Sequence, residues 1–187
     1  NGVYLGKDDY LIERHINREF DGYKIRKHME SLQKIISAYP QTRVMLVPTA
    51  DNILSDKLPA FAPYYDQKEL LEWAKIMLGQ KHVIDVFATL KEHAGEPIYY
   101  RTDHHWTTLG AYYGYQEFAR AYGLPMKNYL NLERVIVTED FQGTLHSKVN
   151  MPMKAETIEM FPATLEKKYT ITYDKSKKTD SFYTESF

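Results

Sequence analysis

Tyr100-Arg101-Thr102-Asp103-His104-His105-Trp106 is the stretch on which the reading of this chain turns. A carboxylate, two imidazoles and an indole follow one another there. Pro97-Ile98-Tyr99-Tyr100, just before it, reads as an extended segment opened by proline. Just after it, an amphipathic pattern predicts a helix starting near Thr107, with Thr107 or Thr108 as its cap. A loop between a strand end and a helix is where α/β folds keep reactive groups.

Asp103 and His105 are the natural catalytic pair. A carboxylate that accepts a hydrogen bond from one ring nitrogen fixes the tautomer and leaves the other nitrogen to act as general base. Spacing alone leaves alternatives open: Asp103 could cap a turn, and either histidine could be structural. A zinc or iron site at His104 and His105 is the weaker reading, because adjacent histidines diverge in regular structure and no His-x-His or His-x-x-x-His spacing lies nearby. Trp106 is read as an anchor for the far end of the loop or as a stacking surface for a sugar. Thr49, at the end of the first apolar strand, is a positional candidate for a substrate-binding or oxyanion-binding role.

Working outward, Gly2 to Ile12 predicts a hairpin at the periphery, turning at Gly6-Lys7-Asp8-Asp9. Ile25, Met29, Leu32 and Ile36 predict a helix over 21–38 that packs on a sheet, closed by Tyr39-Pro40. The uninterrupted run Val44 to Val47 predicts a central parallel strand covered on both faces. A loop is expected from Pro48 through Asp66. Lys68 to Leu78 then predicts a helix with Leu70, Leu71, Ala74 and Met77 inward and Gly79 as a left-handed cap. Val83, Ile84, Val86 and Phe87 predict a second parallel strand, and Thr89 to His93 a helical turn. In the helix after Trp106, Ala111, Tyr115, Phe118, Ala119 and Tyr122 are expected on the buried face, with Gly123-Leu124-Pro125 as terminator. Arg134 to Thr138, Ile158 to Phe161 and Tyr169 to Tyr173 look β-like, and Lys175 to Ser181 reads as a polar turn. The fold class expected is α/β, a mostly parallel sheet flanked by helices, with an irregular β-rich section.

The 187 residues suit one domain, taken as 1–187. A net charge of -1 gives no electrostatic case for nucleic acid or an anionic membrane. The absence of cysteine excludes disulfides, thiolate metal sites and a cysteine nucleophile. No apolar run approaches the ~20 residues that span a bilayer, so no membrane contact is expected of these residues and any anchor would lie outside them. Sixteen tyrosines are read as packing residues with wet hydroxyl tips, a carbohydrate-binding face being the alternative.

Asp103-His104-His105-Trp106-Thr107-Thr108-x-Gly110-Ala111, preceded by Tyr100-Arg101-Thr102, resembles the signature of the bacterial DHHW protein family. That family is similar to the alginate O-acetyltransferases and to SGNH/GDSL esterases with circularly permuted blocks. Gly6-Lys7-Asp8-Asp9-Tyr10-Leu11 also matches, although the family more usually has glycine at the position of Asp9, as do Val47-Pro48-Thr49-Ala50 and Phe141-Gln142-Gly143-Thr144-Leu145.

The resemblance implies an SGNH-like fold and a Ser-His-Asp site for ester hydrolysis or acyl transfer on acetylated cell-surface glycans, with Asp103 as orienter, His105 as base and no cofactor. It also implies an extracytoplasmic location, with a membrane anchor in the full-length protein. The serine is expected downstream in a Gly-Asp-Ser or Lys-Asp-Ser turn, and none of Ser147, Ser176, Ser181 and Ser186 has that setting. Two readings follow: the chain stops before the strand that carries the serine, which is the expectation, or it is a non-catalytic glycan-binding or scaffold module of the cell envelope.

Overall fold

The computed structural model describes residues 2–162 and the backbone of 171–173 and 177–179. The chain begins with an antiparallel hairpin, β1 (Val3–Leu5) and β2 (Leu11–Glu13), in the register Val3↔Glu13. Asp8 and Asp9, in its turn, have φ of 56° and 61°. That is the left-handed region where glycine is at ease and a Cβ is not. The hairpin is central rather than peripheral. Tyr10, Leu11 and Ile12 are buried, and the Leu11 N–H donates to the Arg101 carbonyl at 2.8 Å, so β2 forms one wall of the Asp103 loop.

Helix α1 (Gly22–Ala38) starts where Asp21 accepts from the N–H groups of Tyr23 and Lys24 as a side-chain cap. Its stripe packs chiefly on a second helix, α3 (Gln67–Leu78), through Met29, Ile36, Leu71, Ala74 and Leu78, with Val83 beneath. Gly79 ends α3 with positive φ (87°), but its ψ of 134° lies outside the left-handed helical cap conformation.

The parallel sheet is smaller than the apolar runs imply. Strand β3 (Val44–Met45) pairs in parallel with β4 (Val83–Ile84), and the other pairings among the described residues are antiparallel. Val47 is exposed, because the chain past Met45 has no ladder partner there. Beyond β4, the Asp85 carboxylate accepts the Phe87 N–H and turns the chain into α4 (Phe87–Glu92), so Phe87 leaves the predicted strand. The loop expected from Pro48 to Asp66 contains a short buried helix, α2 (Ala50–Ile53). A one-turn helix is too short to display a period. The main apolar core gathers Ile12, Ile53, Leu54, Val86, Leu90, Ile98 and Tyr99.

Helix α5 (Thr108–Tyr122) is capped by the Thr107 hydroxyl, which accepts from the Gly110 N–H, and Gly123 closes it in the left-handed conformation. Its inner face matches the predicted one at Ala119 and departs from it elsewhere. Gly110, Tyr112, Gly114 and Ala119 are buried, whereas Tyr115, Phe118 and Tyr122 are exposed. The reason is close approach: a Cβ on Gly110 would lie 2.3 Å from the Ile98 carbonyl oxygen, and one on Gly114 would lie 2.7 Å from the Trp106 ring. A hydrophobicity pattern weights bulky residues and passes over the glycines that let the loop sit down on the helix.

Strands β5 (Val135–Phe141) and β6 (Glu156–Met160) form an irregular antiparallel pair. Between them lies an unpredicted helix, α6 (Thr144–Val149), whose Leu145 is fully buried. A last hairpin pairs β7 (Ile171–Tyr173) with β8 (Lys177–Thr179), so Lys177–Thr179 is strand rather than turn. Tyr169, Thr170, Lys175, Ser176, Asp180 and Ser181 lie outside the described residues. No helix among the described residues is long and apolar enough to cross a membrane.

Candidate active site

The loop that carries Asp103 is closed at its base by an antiparallel bridge between Tyr99 and Trp106. The Tyr100 N–H donates to the His105 carbonyl at 3.2 Å, and the Thr107 N–H to the Ile98 carbonyl at 2.9 Å. Below the loop the Tyr99 hydroxyl donates to the Pro48 carbonyl, tying it to the end of β3. Burial pushes that phenol's pKa well above its ordinary value, so it stays protonated and serves as a donor.

Asp103 is almost fully buried, and four donors converge on it. Its Oδ1 accepts the His105 N–H at 2.9 Å and His105 Nδ1 at 2.6 Å. Its Oδ2 accepts the Thr144 N–H at 2.8 Å and the Thr144 hydroxyl at 3.0 Å. Burial by itself raises the carboxyl's pKa, but the four hydrogen bonds together outweigh it and hold the group at about 2, below its ordinary 3.8. Asp103 is therefore an anion at neutral pH and can only accept. It follows that His105 Nδ1 carries the proton and that neutral His105 presents a bare Nε2. With its side chain 67% exposed, that ring lies open to solvent.

The same accounting fixes His104. The Thr144 hydroxyl spends its one proton on Asp103, so it must accept from His104 Nδ1, 2.9 Å away. The two imidazoles lie against each other with centroids 3.9 Å apart. Asp103, His104 and His105 each bring one potential metal-ligand atom within 4.8 Å of the others. The carboxylate oxygens and both Nδ1 atoms already serve the hydrogen-bond chain.

Two other candidates are held elsewhere. Thr49 stands at the start of α2 with its hydroxyl donating to Asp51 at 2.5 Å and accepting from Gln67 Nε2 at 2.6 Å, while its N–H donates to Gln67 Oε1. Trp106 is partly buried and packs on the main core with its ring against Gly114. Ser147 sits in α6 with its hydroxyl directed to the Gly143 carbonyl at 3.4 Å; Ser176, Ser181 and Ser186 lie outside the described residues.

Residue-by-residue reading of the loop missed three contributors. Thr144 lay within a family-like block but showed no role from spacing. Gly143 is required because a Cβ there would fall 2.3 Å from the Asp103 Cβ. Glu156, more than 50 residues away in sequence, gave no signal at all: its Oε1 accepts the Arg101 N–H at 2.8 Å, and its Oε2 accepts the Thr102 N–H at 2.8 Å and hydroxyl at 2.7 Å.

Comparison with known proteins places the fold among solved structures. The DHHW family protein from Eubacterium siraeum superposes with a TM-score of 0.70 at 21% identity, over 87% of this chain and 55% of that one. PatB1 of Bacillus cereus, solved with a sulfonyl adduct, gives 0.64 at 21% identity, over 86% and 56%. The O-acetyltransferase domain of Pseudomonas putida AlgJ gives 0.57 at 18% identity, over 84% and 63%. The chain thus spans little more than half the length of these structures, and the likeness is one of fold. No curated protein sequence matches. The family model described as an SGNH hydrolase-like domain, acetyltransferase AlgX, matches residues 22–186, and the chain therefore belongs to that family of SGNH-like domains.

Proposed function

We propose that this chain supplies the Asp–His half of a serine esterase or O-acetyltransferase that acts on acetylated cell-surface glycans outside the cytoplasm. The observation that carries the reading is Asp103, held anionic by four donors, with its Oδ1 on His105 Nδ1 and the Nε2 of His105 open to solvent. In the mechanism that follows, a serine hydroxyl gives its proton to Nε2 as it attacks the acetyl carbonyl. The His105 imidazolium is stabilised by Asp103 and returns the proton to the leaving alkoxide. Water or a sugar hydroxyl then takes the acetyl group from the acyl-serine, with His105 again as base.

No serine of the 187 residues stands in the expected Gly-Asp-Ser or Lys-Asp-Ser turn, Ser181 following Thr179-Asp180, so the chain alone is proposed to be inactive. The test is acetate release from a small acetyl ester, run on the 187-residue chain and on the longest natural form of the protein that contains it. A sulfonyl fluoride should label a serine in the longer form and leave these 187 residues unlabelled. If the longer form is active and His105→Ala leaves its rate unchanged, the proposed base is wrong. The missing serine setting also favours a second reading, a non-catalytic glycan-binding module. Titration with wall polysaccharides decides it: binding by a longer form that releases no acetate supports the module.

A further inference from the structure

We propose that Thr144 and Glu156, both from the section between β5 and the end of β6, are positioning residues that assemble the Asp103–His105 pair from outside its own loop. The inference rests on the catalytic reading of that pair but concerns how the pair is built.

The loop cannot position itself. Asp103 takes two of its four hydrogen bonds from His105, a local contact that forms wherever the loop goes. The other two come from Thr144, which fixes the carboxylate plane relative to the rest of the molecule. Glu156 acts one residue earlier, on the backbone. Three donors of Arg101 and Thr102 converge on its carboxylate, and Thr102 is fully buried. The two devices are joined: the Thr102 hydroxyl donates to Glu156 and accepts the Gly143 N–H at 3.2 Å. The Thr102 carbonyl in turn accepts the N–H groups of Leu145 and His146 at the start of α6. The residue before the catalytic carboxylate is thus held through its N–H, its hydroxyl and its carbonyl by one segment.

The chemistry at each position is specific. Glutamate is required at 156 because every facing group is a donor. Glutamine would turn its own NH2 toward a backbone N–H and leave a buried donor without an acceptor. At 144 a hydroxyl is required because it must donate to Asp103 while accepting from His104. Valine has the right shape and neither function.

The test uses Thr144→Val, Thr144→Ser and Glu156→Gln. In the 187-residue chain, the low-field proton signal of His105 Nδ1–H is expected to shift or broaden in Thr144→Val and to return in Thr144→Ser. The Asp103 carboxyl should titrate about one pH unit higher in Thr144→Val, because one of its four donors is gone. In the longest natural form, kcat for acetyl-ester cleavage should fall about tenfold to a hundredfold in Thr144→Val and Glu156→Gln, with KM nearly unchanged. Thr144→Val that folds and leaves both the proton signal and the Asp103 titration as in the parent overturns the proposal. Should Glu156→Gln not fold, Thr144→Val decides alone. The NMR arms need no catalysis, so they can fail or hold independently of the function. Activity insensitive to His105→Ala sinks the catalytic reading instead.

Discussion

Among the described residues, two buried aspartates each grip one histidine through both its backbone N–H and its Nδ1, and they are wired alike to opposite ends. In each, one carboxylate oxygen accepts both the backbone N–H and the Nδ1 of the same histidine: Asp103 Oδ1 from His105, and Asp51 Oδ2 from His15 at 3.3 and 3.1 Å. Both carboxylates are buried. The histidines differ. His105 is two residues from its partner and 67% exposed at the side chain, whereas His15 is 36 residues from its partner and 27% exposed, its Nε2 facing Glu13 at 3.9 Å. The first pair presents an open ring nitrogen, the base of the proposed function; the second ties three segments together. Asp51 also takes the Thr49 hydroxyl and the Asn52 amide, and Asn52 reaches on to the Tyr65 carbonyl and the Gln67 N–H. The motif alone does not make a site. What distinguishes the two is whether the outer ring nitrogen is left free.

The sharpest way to break that comparison is to remove each histidine in turn. His105→Ala should cost about three orders of magnitude or more in acetyl-ester cleavage by the longest natural form, with little loss of stability. His15→Ala should leave kcat within about twofold of the parent and lower the urea midpoint, consistent with a stability loss of about 1–3 kcal/mol. Equal effects of the two on kcat would erase the distinction.

Next comes the buried carboxylate of the structural pair. Asp51→Ala strands the Thr49 hydroxyl, the Asn52 amide and His15 without an acceptor, and should destabilise by about 3 kcal/mol in equilibrium unfolding. Asp51→Asn, which keeps one acceptor oxygen, should cost less.

The pairs also predict opposite pH windows. Asp103 has its folded pKa lowered from 3.8 to about 2. Its contribution, about 2 kcal/mol, is present above pH ~4 and is lost as pH falls through ~2. His15 has its pKa raised, first by its hydrogen bond to Asp51, against the effect of burial, with the charges of Asp51, Glu13 and Glu19 adding. Its contribution is complete below its unfolded value of about 6.5 and is lost as pH rises through the higher folded value. Unfolding measured from about pH 1.5 to 9 should therefore show a loss above pH ~6.5 that disappears in His15→Ala, and a separate acid loss that survives it.

Smaller effects test the frame of the active pair. Gly143 has φ of -84°, so alanine there meets no backbone strain, only the Asp103 side chain. Gly143→Ala should cost about 1–3 kcal/mol through overpacking and disturb the His105 Nδ1–H signal. Asp9→Gly relieves a left-handed aspartate in the hairpin turn beside the loop and should stabilise by about 0.5–1 kcal/mol, seen as a small rise in Tm. A fall would mean that the Asp9 side chain has a role its φ does not reveal.

Much of this was legible in local chemistry. Asp21 and Thr107 cap helices where a side-chain oxygen precedes an amphipathic run, and the Asp103–His105 pair closes within three residues, so both follow from neighbours in sequence. Short elements were not legible, because α2 and α6 are too brief to show a period. The inner face of α5 was misread because its closest contacts are made by Gly110 and Gly114, which carry no hydrophobic signal.

Residues close together along the chain were enough to name the catalytic candidates, the long helices α1, α3 and α5 and the family likeness. Distant contacts add that Asp103 is a buried anion, that His105 is open while His15 is engaged, and that Thr144 and Glu156 bond to the loop. The physical reason is that a carboxylate's charge state is set by the donors that reach it. Half of Asp103's arrive from 41 residues away and Glu156's from 54 and 55, and no pattern within the loop records which distant N–H will be brought to it.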